Sequence, residues 1–461
     1  MNSTSREFAK GEDEDGNKWT GVTCTSLELV VGYLAHASCA VCASDRNVRA
    51  MVELTCPVHA REVHLVNRGG LYKDRTPMIK LLVPMHAVRF SFDNEHQEYA
   101  ECIVDVRDVR TVERVLWWLQ VAAVRSLRLE GVEHLSTAGI HRLFSSLLTK
   151  HPLTEGGRAL PTVLEELTCN GSSAYHTVRL KDVSLLQQCL LLKKIHMDWC
   201  WSLKSLDGVE SFASLETLRI PGTQVSDWKA LAECPRLKYL DMSCTEGWVS
   251  LSGMETLTSL VTLELAYTPI KDLRPLRGNK QLRNVSLNHC TQLRSLAGLE
   301  GLLALEVLDL SGTAVDRLTP LHDCRQLRHL QVVGCTELRS LAGLENSLYL
   351  DELVLAESAV ESLVPLRDCH RLKKLNLKAC RQLRTLAGLE YSSELEELVL
   401  LDSAVESLVP LQEGCRLKKF HMKYCDQLRS LIGNHQEEKM VDDIYNRDNI
   451  GEHGSDFIMK D

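Results

Sequence analysis

The chain has 461 residues, a formal net charge of −9 and 5% aromatic residues. That acidic balance, with no basic run of five or more, excludes a general nucleic-acid binder. No apolar stretch reaches the ~20 residues needed to span a bilayer, and Met1-Asn-Ser-Thr-Ser-Arg6 lacks a signal-peptide apolar core, so the expected compartment is the cytoplasm, with no membrane partner.

Residues 1–20 contain Gly11-Glu-Asp-Glu-Asp-Gly16 and almost no apolar periodicity, which predicts a disordered acidic lead-in. Residues 21–105 carry alternating apolar runs, from Val48 to Leu54, Val63 to Leu65 and Val88 to Phe92. These fit a small α/β region or degenerate first turns of the repeat described below. The same region holds Cys39-x2-Cys42-x13-Cys56-x2-His59. Two such pairs can close a tetrahedral Cys3His zinc site, with the His64 nitrogen to spare. Cys56 is in phase with Val52 and Leu54, so the competing reading is a core thiol. No cofactor is the expectation, and zinc the minority reading.

Residues 106–191 open with helical spacing at Val109, Val112, Val115, Leu116 and Leu119. Val124-Arg-Ser-Leu127-Arg-Leu129 and Leu164-Glu-Glu-Leu167-Thr-Cys169 then read as strands, with Leu135, Ile140, Leu143 and Leu147 between them. They predict long, irregular turns. From residue 192 to 434 the pattern tightens. Segments led by Leu192, Leu215, Leu237, Leu260, Leu282, Leu305, Leu327, Leu350, Leu372, Leu395 and Leu417 recur at steps alternating 23 and 22 residues. Eleven turns at so regular a period predict a solenoid. Shorter turns read like Thr268-Pro-Ile270-Lys-Asp-Leu273-Arg-Pro275-Leu276, and longer ones like Cys290-Thr-Gln-Leu293-Arg-Ser-Leu296-Ala-Gly298-Leu299. Pro275, Pro320, Pro365 and Pro410 fix φ and remove a donor, which predicts extended or 3-10 backbone on the outer side. Residues 435–461 predict a polar cap and a disordered tail.

The motif L-x-x-L-x-L-x-x-(Cys/Thr)-x-L resembles the leucine-rich repeat signature. The shorter turns are similar to those of internalins and phosphatase-regulating leucine-rich proteins. Alternation with a Cys-bearing turn resembles trypanosomatid leucine-rich repeat proteins, among them a type carrying a RING finger. Leu135 to Leu147 resembles the helix-bearing repeats of ribonuclease-inhibitor type. The implied fold is an α/β leucine-rich repeat solenoid: a parallel sheet on the concave face, a 3-10 or extended convex side, and an irregular N-terminal region. The implied role is an interaction scaffold.

Most of the 17 cysteines belong to the repeat. Cys200, Cys244, Cys290, Cys335, Cys380 and Cys425 are expected at the ladder position that Asn often fills. Cys189, Cys234, Cys324 and Cys369, with Cys415 one place off, end the preceding turn. With strands ~4.8 Å apart, set members two turns apart are roughly 9–10 Å from each other, beyond the ~7 Å a disulfide allows. Buried thiols are therefore predicted.

Numbered from the leading Leu, positions two, three, five and seven face outward from the sheet. Lys193, Lys194, Arg283, Arg328, Lys373, Lys374, Lys418 and Lys419 lie on longer turns, and Glu216, Glu264, Glu306, Asp351, Glu352, Glu396 and Glu397 on shorter ones. Basic and acidic strands should alternate as a self-neutralised ladder. It thins between Tyr239 and Val307. There Tyr239, Tyr267, Asn284 and Asn288, with Trp199 nearby, form the candidate partner-binding set, because interfaces favour aromatic anchors where paired charge is sparse. The alternative is that the aromatics pack along the solenoid edge. No P-loop, G-x-G-x-x-G, H-E-x-x-H or G-x-S-x-G motif occurs, so no catalytic residues are assigned. The expectation is a monomeric, non-enzymatic scaffold with a protein partner on its concave face and no nucleic acid. The alternatives are a ubiquitin-ligase component that selects substrate through its repeats, and a phosphatase regulator.

Overall fold

In a computed structural model of the protein, residues 62–67, 78–84, 99–105, 126–130, 164–171, 180–187, 189–245, 250–411, 417–425 and 428 are described, the first four stretches as backbone alone. The chain divides into two compact units, residues 1–223 and 224–461.

In the first unit, β1 (Glu62–Asn67), β2 (Met78–Pro84) and β3 (Tyr99–Asp105) form an antiparallel meander. β1 also pairs in parallel with β4 (Ser126–Glu130), which starts the parallel series β5 (Glu166–Cys169), β6 (Lys194–His196) and β7 (Thr217–Arg219). Consecutive turns of a solenoid pair in parallel, so the meander is not made of such turns.

In the second unit every described strand pairing is parallel. The strands are β8 (Tyr239–Asp241), β9 (Thr262–Glu264), β10 (Asn284–Ser286), β11 (Val307–Asp309), β12 (His329–Gln331), β13 (Glu352–Val354), β14 (Lys374–Asn376), β15 (Glu397–Val399) and β16 (Lys419–His421). The register sets Leu240, Leu263, Val285, Leu308, Leu330, Leu353, Leu375, Leu398 and Phe420 side by side. Each strand covers only the x-Leu-x portion of its segment, beginning two residues after the leading Leu. The leading Leu N–H is used elsewhere: Leu260 donates to the Leu257 carbonyl at 3.1 Å and Leu305 to Leu302 at 3.1 Å, closing the turn that returns the chain to the sheet. Leu305, Leu308, Leu310, Leu318 and Leu321 show how complete the burial is, all at 0% exposure. Each contributes roughly 1.5–3 kcal/mol before chain entropy is subtracted.

The outer side is built from 3-10 turns at Lys229–Glu233, Arg274–Gly278, Thr319–Leu321 and Val364–Leu366. Pro275, Pro320 and Pro365 enter the last three at their first turn, where a missing N–H costs nothing. Longer turns use Gly-x-Glu instead. The N–H groups of Gly253, Gly298, Gly343 and Gly388 donate to the carboxylates of Glu255, Glu300, Glu345 and Glu390 at 2.6–2.9 Å. These glycines hold φ of +101 to +117. At Gly298, Gly343 and Gly388 a Cβ would overlap the carbonyl oxygen of Leu273, Leu318 or Leu363 on the turn before.

Position nine carries the ladder, with one correction. Cys244 is at position eight, half-buried, and Thr245 fills position nine, donating to the Met242 carbonyl at 2.6 Å. Elsewhere hydroxyl and thiol converge on one acceptor. Thr268 Oγ1 and Cys290 Sγ both donate to the Leu265 carbonyl, at 2.6 and 3.1 Å, and Thr313 and Cys335 to that of Leu310, at 2.7 and 3.2 Å. A buried carbonyl at the exit from the sheet needs such donors, which is why a short side chain with a donor recurs there.

Asn279 stands where other shorter turns end in Cys234, Cys324 or Cys369. It is fully buried, and its amide nitrogen donates to the Met254 and Leu257 carbonyls at 2.9 and 2.8 Å. Asn279→Leu removes both of these hydrogen bonds, while each carbonyl keeps a backbone N–H partner, and should cost roughly 2 kcal/mol. Asn279→Cys, the residue of neighbouring turns, should cost less than half of that in a urea titration.

Candidate interaction surface

The outward face is charge-paired as the alternation predicts. In the first unit Lys193 meets Glu165 at 2.8 Å, Lys194 meets Glu166 at 2.5 Å and Arg219 meets Asp198 at 3.0 Å. In the second unit Asp351 lies between Arg328 at 3.3 Å and Lys373 at 3.2 Å. Glu352 lies between His329 at 3.6 Å and Lys374 at 3.8 Å, and Lys418 reaches Glu396 at 2.8 Å. Such exposed pairs contribute about 0–1 kcal/mol each, and they leave this part of the face neutral. The alternation fails at position five of β8, Asp241, which the register sets beside Glu264 of β9, and it is reversed in the first unit, where Arg219 is on a shorter turn and Asp198 on a longer one.

Four of the five candidate residues come from consecutive turns of the second unit. Tyr239, Thr262, Asn284 and Val307 form one transverse row in register, all half-buried. The Asn284 amide donates to Thr262 Oγ1 at 3.4 Å. Asn288, at position seven, donates to the Asp309 carboxylate at 3.1 Å, while its Oδ1 is buried without a partner. Asp309 also accepts the Ser311 N–H at 2.9 Å. Trp199 belongs to the first unit, so these residues are described apart from it.

Both exposed aromatics of the set stand at position eight. Every described residue there has left-handed φ: Trp199 and Gly222 in the first unit, and in the second Cys244, Tyr267, His289, Gly312, Gly334, Glu357, Ala379, Asp402 and Tyr424, between +54 and +68. The conformation aims the backbone N–H at the next turn, as when Tyr267 donates to the Asn288 carbonyl at 2.9 Å. It also turns the side chain outward along the rim where the chain leaves the sheet. The edge-packing alternative therefore describes part of what the rings do. Trp199, 38% exposed, lies across Gly222, where a Cβ would overlap the indole. Tyr267, 58% exposed, stacks on His289 with centroids 4.5 Å apart and planes at 16°. His289 lies over Gly312, where a Cβ would come within 2.8 Å of its Nδ1. His289 and Asp309 lie outside the candidate set, since the sequence places Asp309 in the charge ladder and His289 among outward histidines that are solvated or stacked. The available signal was the period itself, since Tyr267 and His289 are 22 residues apart and share position eight.

Among the described residues no group of three His, Cys, Asp or Glu side chains is placed to hold a metal ion. The set Cys39, Cys42, Cys56 and His59 lies outside the described residues. Cys244, Cys290, Cys324, Cys335, Cys369, Cys380 and Cys425 are free thiols. Burial pushes the Cys324 and Cys369 thiols up to about 12 and Cys380 to about 11. Burial also lowers His196, more than the Asp198 carboxylate raises it. Among the described residues no helix is long and apolar enough to cross a membrane.

No protein-family model matches the sequence, and no curated protein matches it. Solved structures do. The chain is similar to an internalin (InlF) from Listeria monocytogenes at a TM-score of 0.54 and 19% identity, over 70% of this chain and 92% of that one. It is similar to a leucine-rich repeat protein of Leptospira interrogans at 0.53 and 16% identity, over 72% of this chain and 84% of that one. At such identities the likeness establishes the fold, and it agrees with the parallel strands, the 3-10 outer side and the 22- and 23-residue period. The fold of this chain is the leucine-rich repeat solenoid.

Proposed function

We propose that the protein is a non-enzymatic scaffold that docks a protein partner on the strand-bearing face of its second unit, over β8 to β11. The observation that carries this reading is the contrast along one sheet. From β12 to β16 the outward side chains largely neutralise one another, whereas Tyr239, Thr262, Asn284 and Val307 form a row without charge, bordered by the exposed Tyr267 ring. Aromatic anchors in a weakly charged setting supply most of the energy of protein interfaces. The parallel strands hold these side chains at fixed spacing, so little order is lost on docking.

The test is affinity purification followed by mass spectrometry, comparing the wild type with Tyr239→Ala/Tyr267→Ala. Hot-spot truncations cost about 2 kcal/mol or more, so proteins retained by the wild type should drop at least about thirtyfold. Tyr267 is exposed and Tyr239 half-buried, so the melting temperature should stay within a few degrees. Undiminished recovery of every partner would overturn the reading. A cytoplasmic location belongs to the same proposal and is checked by fractionation.

A further inference from the structure

The charge ladder from β12 to β15 occupies positions two and three, whereas positions five and seven of the same turns are largely apolar. Val354 and Val399 stand at position five of the turns bearing β13 and β15. Val333, Ala356 and Leu401 stand at position seven of the turns bearing β12, β13 and β15. Ala356 is buried and the other four are half-buried. On β8 to β11 the same two positions hold carboxylates, hydroxyls, an amide and a single apolar residue, Ala266.

The register brings the apolar side chains into two clusters. Val354 pairs with Asn376, which pairs with Val399. Gly334, Glu357 and Ala379 donate their N–H groups to the carbonyls of Ala356, Lys378 and Leu401 at 2.7–2.8 Å, so position seven is aligned as well. One cluster therefore lies on β12 and β13 and the other on β15, two strands or roughly 10 Å away. Between them stands Lys378, the one charged residue at positions five and seven from β12 to β15. Its ammonium is 4.0 Å from Glu357, the limit of an ion pair. The bordering ions are paired more closely with one another: His329 and Lys374 with Glu352, Lys419 with Glu397, and Arg381 with Asp402, at 2.5–3.9 Å.

A cation between two apolar clusters selects the shape of what covers it. An extended segment crossing the strands presents same-face side chains about 6.7 Å apart, out of step with clusters at roughly 10 Å. An α-helix presents residues seven apart at about 10.5 Å, with the residue three or four along midway between them on the same face. One apolar side chain on each cluster leaves that middle residue over Lys378, where a carboxylate is favoured. We propose that the face over β12 to β15 is a second docking surface, separate from that over β8 to β11. It takes an amphipathic helix of a protein partner laid across the strands, with apolar residues at i and i+7 and Asp or Glu at i+3 or i+4.

The test pans an unbiased phage-displayed library of 18-residue peptides on the immobilised full chain. Enriched peptides are then synthesised with fluorescein and measured by anisotropy and circular dichroism. They should carry the apolar pair seven apart with an acidic residue between, and gain helical signal on binding. Leu401→Ala should weaken them about tenfold, and Tyr239→Ala/Tyr267→Ala should leave them unchanged. Lys378→Glu should also weaken them about tenfold, and replacing the central acid of the peptide with lysine should restore binding to that variant. Leu401 is half-buried and Lys378 exposed, so both variants should keep the wild-type circular dichroism. A structural effect of Lys378→Glu would not be rescued by a change in the peptide. Enriched peptides that bind Leu401→Ala as tightly as wild type, that alternate apolar residues every second position without helical signal, or that show no charge-swap rescue would overturn the proposal. So would the absence of any enriched peptide.

Discussion

Replacing Gly343 with alanine should destabilise the second unit by roughly 3 kcal/mol, while Gly334→Ala should cost about 1 kcal/mol. Both glycines have positive φ, +112 and +68. Gly334 has no heavy atom within 4 Å of where a Cβ would be, and other turns place Ala379, Glu357 or Asp402 at its position. Only the left-handed strain is added there. At Gly343 a Cβ runs into the backbone of the preceding turn at Leu318 and Thr319. Neither segment can move aside cheaply: Leu318 is buried and Thr319 opens a 3-10 turn. The same approach recurs at Gly298 and Gly388, so the cost belongs to the way longer turns stack on shorter ones. Urea titration followed by circular dichroism measures it. Equal midpoints for the two variants would show that stacking distance is not the reason for the glycine.

The thiols of Cys324 and Cys369 should be alkylated at pH 8 at least about a thousandfold more slowly in the folded chain than in denaturant. Their pKa rises from 9.0 to about 12 because burial disfavours the thiolate, with Asp323 and Asp368 adding to the rise. The thiolate is the reactive form, so three units remove three decades of reactivity before access is considered. Peptide-resolved mass spectrometry after timed iodoacetamide treatment reads each site, and labelling of Cys324 at the denatured rate would refute the assignment. The same shift links stability to pH. In the unfolded chain these thiols lose protons from about pH 9, while in the folded chain they keep them to about pH 12. The unfolded state therefore binds fewer protons over that window, and stability is complete below about pH 9 and falls as pH rises through it.

Much of the architecture is legible in the chain because a repeat states its own geometry many times. The 22- and 23-residue alternation, the inward leucines and the prolines at Pro275, Pro320 and Pro365 specify stacked turns with a 3-10 outer side. The opposition of Lys373 and Lys374 to Asp351 and Glu352 follows from the same counting. Counting also exposes its own slip at Cys244: position nine needs a donor aimed at a buried carbonyl, and Thr245 supplies it.

What composition and period determined, then, is which residues face the core, which face water, and that neighbouring turns pair in parallel, since these follow from one apolar pattern repeated past the point of accident. Tertiary structure alone decided the rest. It made β1 to β3 an antiparallel meander, because their apolar alternation fits either pairing direction and only long-range hydrogen bonds choose. It gave position eight a left-handed backbone, which no residue type there announces, and so brought Tyr267 onto His289 and Asn288 onto Asp309. Side chains 21 or 22 residues apart meet only after a whole turn has closed, and a surface made of such meetings is written in the stacking of turns.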